Sequence, residues 1–200
     1  MDSHVPVSPS AMTGVRMTSH SRRFREFLTQ VKEDWAVNGS DWTRPGFRAL
    51  AVHRFGGWVQ VVRIRGLRGV LWQVYLILHR YIRNHYGIEL YYTTKVGRRF
   101  AIGHQGGIVI HPHAIIGDDC IIRQNVTIGA TNFDHRREAP TLGNRVEVGC
   151  GVTIIGKIAI GDGARIAPNV VVMTSIPAGS TVVMPPPQII SFRKNTVRSQ

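Results

Sequence analysis

The stretch IHPHAIIGDDCIIRQNVTIG, residues 110–129, decides the fold of this 200-residue chain. An aliphatic residue opens every sixth position, at Ile110, Ile116, Ile122 and Ile128. Glycine follows in Ile116-Gly117 and Ile128-Gly129. The same period resumes at Leu142, Val148, Ile154, Ile160, Ile166 and Val172. Position five of each hexad is small or apolar: Ala114, Cys120, Val126, Val146, Val152, Ile158, Ala164, Val170 and Ile176. Helices repeat at about 3.6 residues and strands at about 2, so neither generates a period of six. Hexapeptide repeats of this kind build a parallel β-helix, mainly β in class. Each hexad supplies a short strand and a turn, and three close a triangular coil of about 18 residues. The opening aliphatic points inward and the position-five residue fills the corner. Glycine at position two is expected to supply backbone angles that other residues resist. Stacked coils put Ile110 above Ile128 in one buried ladder, and one coil alone cannot bury its apolar face.

The period breaks twice. Hexads that open at Val96 and Ile102 run two residues out of phase with Ile110, and residues 130–141 form an insertion. Both must protrude from a regular coil, and excursions from a rigid scaffold are where binding and catalysis concentrate. The rest of the chain divides around this coil. Residues 1–20 read as a disordered start, 21–88 as an α-helical segment, 89–184 as the β-helix with its protruding loop, and 185–200 as a tail. Within the helical segment, apolar spacing predicts helices over 21–37, with Ser21 as a cap, over 45–58 and over 60–85. Gly56-Gly57 falls near the junction of the last two.

The chain carries a net charge of +13, with 43% hydrophobic residues. The excess is spread along the sequence and favours anionic partners, such as a coenzyme's phosphates, without selecting among them. No recognition helix or interleaved aromatic platform points to nucleic acid. His111 and His113 bracket Pro112 with no further ligands nearby, so no metal site is read. Cys120 and Cys150 both fall inside hexads and fit reduced thiols in a cytoplasmic protein. No signal peptide is read in the first twenty residues. The apolar run 69–78 is too short to span a bilayer. Arg65 and Arg68 precede it, and His79, Arg80 and Arg83 follow. Two readings stay open for this helix: packing against other subunits or the coil, or peripheral membrane contact with its arginines at the headgroups.

Three stretches carry a family resemblance. Residues 45–54 read Pro-Gly-Phe-Arg-Ala-Leu-Ala-Val-His-Arg. Gly87-Ile88-Glu89 is followed by Lys95-Val96-Gly97 and then by Gly103-His104-Gln105-Gly106-Gly107-Ile108-Val109. Gln124-Asn125-Val126-Thr127-Ile128-Gly129 leads into the insertion. Together they resemble the serine acetyltransferase branch of the hexapeptide-repeat acyltransferases over roughly residues 30–190. The resemblance implies a left-handed coil, against the usual right-handed crossover. It also implies acetyl transfer from acetyl-CoA to a hydroxyl, and a homotrimer with coenzyme held between adjacent prisms. The short helical segment favours a plain trimer.

The same resemblance assigns roles. An alcohol attacking a thioester needs a base within hydrogen-bond reach, and imidazole suits because its pKa lies near working pH. His104 matches that base, and Glu89 stands where the family carries the aspartate that orients it. Ala130 and Cys150 match small coenzyme-contacting residues and Arg165 a basic one. Gly149 and Gly151 would let the pantetheine arm approach, and Lys157 and Arg165 could face the nucleotide phosphates. Three positions depart from the pattern. Gly103 replaces an aspartate before the histidine. Arg137-Glu138-Ala139 replaces Asp-Arg-His before Pro140, leaving His135 and Arg137 as the loop's acceptor-binding candidates. Gln188 replaces a usual arginine. Relatives with Gly-His at this point include O-acetyltransferases that modify sugars of surface polysaccharides, so a glycan hydroxyl and L-serine both stay open as acceptor. A non-catalytic trimeric assembly module is the alternative.

Overall fold

The computed structural model describes residues 19–132 and 138–190. Three helices come first: α1 (Ser19–Val37), α2 (Pro45–Val59) and α3 (Arg65–Tyr86). The expected disordered start therefore lies outside the described residues up to 18, and Ser21 sits within α1 instead of capping it. Pro45 opens α2, where its missing N–H is harmless. Gly87 closes α3 in the left-handed region at φ 62, with its N–H bonded to Arg83 O. Gly56 and Gly57 lie in the last turn of α2, near its junction with α3 as expected. A Cβ at Gly56 would come within 2.5 Å of the Tyr75 ring, so glycine here lets α3 pack closely on α2.

Fourteen short strands then wind into three faces. The first face stacks β1 (Ile88–Leu90), β4 (Ile108–Ile110), β7 (Thr127–Gly129), β10 (Thr153–Ile155) and β13 (Val171–Val172). The second stacks β2 (Lys95–Val96), β5 (Ile115–Ile116), β8 (Thr141–Leu142) and β11 (Ala159–Ile160). The third stacks β3 (Ala101–Ile102), β6 (Ile121–Ile122), β9 (Glu147–Val148), β12 (Arg165–Ile166) and β14 (Thr181–Val182). All pairs are parallel, and the whole is the left-handed β-helix that the hexads and the resemblance led us to expect. Ile110, Ile128, Ile154 and Val172 pair in register as one inward ladder. Every opening aliphatic from Ile110 to Val172 is buried, and so are all position-five residues except Ile158, which is half-buried.

Gly117 at position two has a different cause from the one expected. A Cβ at Gly117 would lie 2.5 Å from Gly143 O in the next coil, so close stacking of backbones forbids a side chain. The left-handed backbone falls instead at position four, on Asp119, Asn125, Arg145 and Asn169, with φ between 55 and 61.

A buried polar knot fastens the helices to the first coil. Arg54 of α2 bonds Asp34 of α1 at 2.8 Å and the carbonyls of Val96 and Gly97 at 2.7 and 2.5 Å. Burial pushes the Asp34 carboxyl up, and the Arg54 guanidinium pulls against it. Asn38 donates to Phe100 O and accepts from the Ile102 N–H at 3.0 Å, which covers the open edge of β3. A Cβ at Gly46 would lie 2.5 Å from Ile102 O, so α2 rests directly on this strand. His53 donates its Nδ1–H to Tyr91 O at 2.9 Å. Burial, with the Arg54 charge beside it, pulls its pKa down to about 3. No helix among the described residues is long and apolar enough to cross a membrane.

Candidate active site at the corners of the coil

Ile102 pairs with Ile122 and Ile110 with Ile128. Ile110 therefore lies eight residues after Ile102, where Ile128 lies six after Ile122, a surplus of two. The Gly103 N–H donates to Ile122 O at 2.9 Å, and the Asn125 N–H donates to Gly106 O at 2.8 Å. Between these fixed points the extra residues are His104 and Gln105. Both are exposed, at the corner where the third face turns into the first. Gly106 and Gly107, at φ 99 and 64, bring the chain back into register. A Cβ on Gly107 would sit 3.2 Å from the Asn125 Cα beneath it. Among the described residues the His104 imidazole has no hydrogen-bond partner.

Glu89 lies in β1, pointing outward between the inward Ile88 and Leu90. It is held close to the bulge, since β1 pairs with β4 and a Cβ on Gly87 would be 3.3 Å from the Gly106 Cα. Its carboxylate accepts from Tyr91 Oη at 2.7 Å. That bond pushes the Tyr91 phenol up from its ordinary pKa. Burial and the Arg83 charge lower the pKa of His79 of α3, and the Glu89 charge pulls against them. Among the described residues no hydrogen bond joins Glu89 to His104. Tyr91 follows directly on β1, and the sequence pattern did not single it out.

The residues expected at the coenzyme sort into two groups. Gly149, Cys150 and Arg165 line a shallow groove of about 290 Å³ with Arg123, Pro168 and Thr181, on the third face and the corner that carries His104. Gly151 is the next residue of that corner. Arg165 pairs with Glu147 at 3.4 Å. Gly149 has a structural reason to be glycine, since a Cβ would lie 2.7 Å from Pro168 N. Ala130 and Lys157 stand at the other edge of the first face, where it turns into the second. The insertion leaves the coil at this second corner. His135 and Arg137 lie outside the described residues. One chain thus carries His104 and Cys150 on one corner of the coil, two coils apart, with Arg165 on the adjoining third face, and Ala130, Lys157 and the insertion on another corner. A separate cleft of about 650 Å³, lined by His53, Arg54, Trp58 and Lys95 among others, contains none of the expected site residues.

No family model matches the chain. It is 40% identical over 139 residues to a serine acetyltransferase of Helicobacter pylori, covering 70% of this chain and 77% of that one. The chain belongs to the serine acetyltransferase family. A Synechococcus elongatus serine acetyltransferase is 36% identical over 146 residues, which is 73% of this chain but only 57% of the relative. Among solved structures, serine acetyltransferase isoform 3 of Entamoeba histolytica in complex with cysteine superposes with a TM-score of 0.71 at 24% identity, over 88% of this chain and 65% of that one. The soybean enzyme complexed with serine gives 0.68 at 25% identity, over 83% and 70%. These two likenesses bear on the fold.

Proposed function

We propose that this chain is an acetyl-CoA-dependent O-acetyltransferase in which His104 is the general base. The observation that carries the reading is the two-residue bulge, which presents an exposed, unpartnered imidazole on the same corner of the coil as Arg123 and Cys150 of the groove. His104 takes the proton of the acceptor hydroxyl as the oxygen attacks the thioester carbonyl. The tetrahedral intermediate collapses with cleavage of the carbon–sulfur bond, and the imidazolium returns the proton to the leaving thiolate. Glu89, held by Tyr91 one strand from the bulge, would orient and stabilise the imidazolium. The groove at Gly149, Cys150 and Gly151 would take the pantetheine arm, and Arg165, released from Glu147, the coenzyme's phosphates.

The two corners of one chain do not form one site, so the reading places the site between neighbouring protomers of a homotrimer. One protomer would supply His104 and the groove. The next would supply Ala130, Lys157 and the insertion with His135 and Arg137. The relatives' names make L-serine the first acceptor to offer. A sugar hydroxyl of a surface polysaccharide is the second, because Gly103 leaves the space beside His104 without a side chain: a Cβ there meets nothing closer than 3.6 Å. The free thiols of Cys120 and Cys150 suit a cytoplasmic setting.

The test is release of coenzyme A thiol from acetyl-CoA with purified protein, offered L-serine and a panel of sugars. Turnover on one acceptor is expected, reduced about 10²–10⁴-fold in His104→Ala at unchanged oligomeric mass. Full turnover in that variant overturns the base. Coenzyme binding without turnover on any acceptor makes the chain an assembly module.

A further inference from the structure

Helix α3 packs only one side on the protein. Tyr75 and Ile82 are buried against α2 and the start of the coil, with Trp72, His79 and Tyr86 half-buried beside them. Leu67, Val70, Val74, Ile77 and Tyr81 follow one another at intervals of three, four, three and four residues. They therefore form one continuous stripe along the helix. All five are exposed, Val70 and Ile77 by 63% and 68%. Ile64, just before the helix, is 66% exposed and extends the stripe. A 22-residue helix is about 33 Å long, so this apolar face runs a considerable distance with none of the described residues covering it.

The polar residues of α3 say what fits there. The helix holds Arg65, Arg68, Arg80 and Arg83 and not one carboxylate. Among the described residues Arg65, Arg68 and Arg80 have no ion-pair partner. Arg80 borders the same surface hollow as Ile77 and Tyr81, so cation and apolar stripe meet one surface together. Arg65 and Arg68 border a second hollow with Trp72 near the start of the helix. A second copy of α3 would bring arginines to arginines with no acid on either helix. An anionic lipid surface offers hydrocarbon for the stripe and headgroups for the guanidinium groups, which reach sideways on long stems. The net charge of +13 adds long-range attraction.

We propose that the outer face of α3 is a docking surface for anionic lipid headgroups, which lays the helix in the plane of a membrane. The proposal is independent of the acetyl-transfer reading, because its readout is partition and not turnover. The full chain would be floated with vesicles of phosphatidylcholine alone and of phosphatidylcholine with about 30% phosphatidylglycerol. Binding to the anionic vesicles only, weakened by salt, is expected. The double variant Val74→Asp/Ile77→Asp alters exposed positions and should lose binding at least tenfold at unchanged circular dichroism. Arg80→Gln should weaken it roughly fivefold. Either variant should leave thiol release unchanged. Three results would overturn the proposal: no partition onto anionic vesicles, equal partition by the double variant, or a fall in its oligomeric mass by light scattering. The last would show that α3 instead joins copies of the chain.

Discussion

Where the third face meets the first, the coil carries two residues more than a hexad; where the first meets the second, it carries eight. The second figure follows from the pairings Ile110–Ile128 and Ile116–Leu142, since fourteen residues separate Ile128 from Leu142 and six separate Ile110 from Ile116. The small surplus is pinned on both sides by backbone hydrogen bonds, and Gly87 packs against it. The large one leaves and rejoins the coil at backbone hydrogen bonds, from the Gly156 N–H to Gly129 O and from the Ile115 N–H to Pro140 O. Both excursions end in register, and the inward ladders run through unbroken. The difference teaches that a β-helix can carry a chemical group in two ways. A short bulge holds one exposed side chain, His104, against the scaffold, whereas a long insertion adds eight residues at one corner without disturbing the ladders on either side.

Deleting His104 and Gln105 together would break the comparison most severely. The corner would then have six residues like those beneath it, so a cooperative thermal transition should survive. Turnover should drop about 10²–10⁴-fold. Unfolding of the deletion variant would show that the bulge serves the coil. The next effect concerns the support behind the small corner. Arg54→Ala strands the buried Asp34 carboxylate and two carbonyls, and should cost about 3–5 kcal/mol in urea unfolding. A loss below about 1 kcal/mol would mean that the polar knot does not hold the helices to the coil.

The smallest effect is a pH dependence. The pKa of His53 falls from 6.5 to about 3 on folding. Its contribution is therefore full above the unfolded value and is lost as pH falls, because the unfolded chain takes up a proton that the folded chain refuses. Stability should decline by about 2 kcal/mol between pH 7 and pH 5 from this residue. His53→Gln should flatten that slope. An unchanged slope would place the titration elsewhere.

The fold was legible because one physical rule, burial of every sixth aliphatic, is repeated many times over. The phase slip between Ile102 and Ile110 even located the bulge, since two residues with no inward partner must leave the coil. Less legible were features set by contacts distant in sequence. Nothing local in Gly46, Gly56 or Gly149 announces that a backbone or ring will occupy the place of a Cβ. Asp34, Arg54 and Asn38 form their knot across 20 to 66 positions. The end of α3 falls where expected, but its start lies at Arg65 and not at Gln60, because Val62 is buried outside any helix and apolar spacing cannot tell such a residue from a helical one. Glu89 is expected to face His104, while the donor it is bonded to, Tyr91, lies two residues on, just past the end of its strand.

The central claim, a site built from the small corner of one protomer and the large corner of the next, is tested most directly by subunit mixing. His104→Ala and a deletion of residues 133–137 should each be inactive alone. Co-refolded in equal amounts, they should recover about a quarter of the wild-type rate, the share of interfaces that combine an intact bulge with an intact insertion in a cyclic assembly. No recovery in mixed oligomers of confirmed composition would contradict the account.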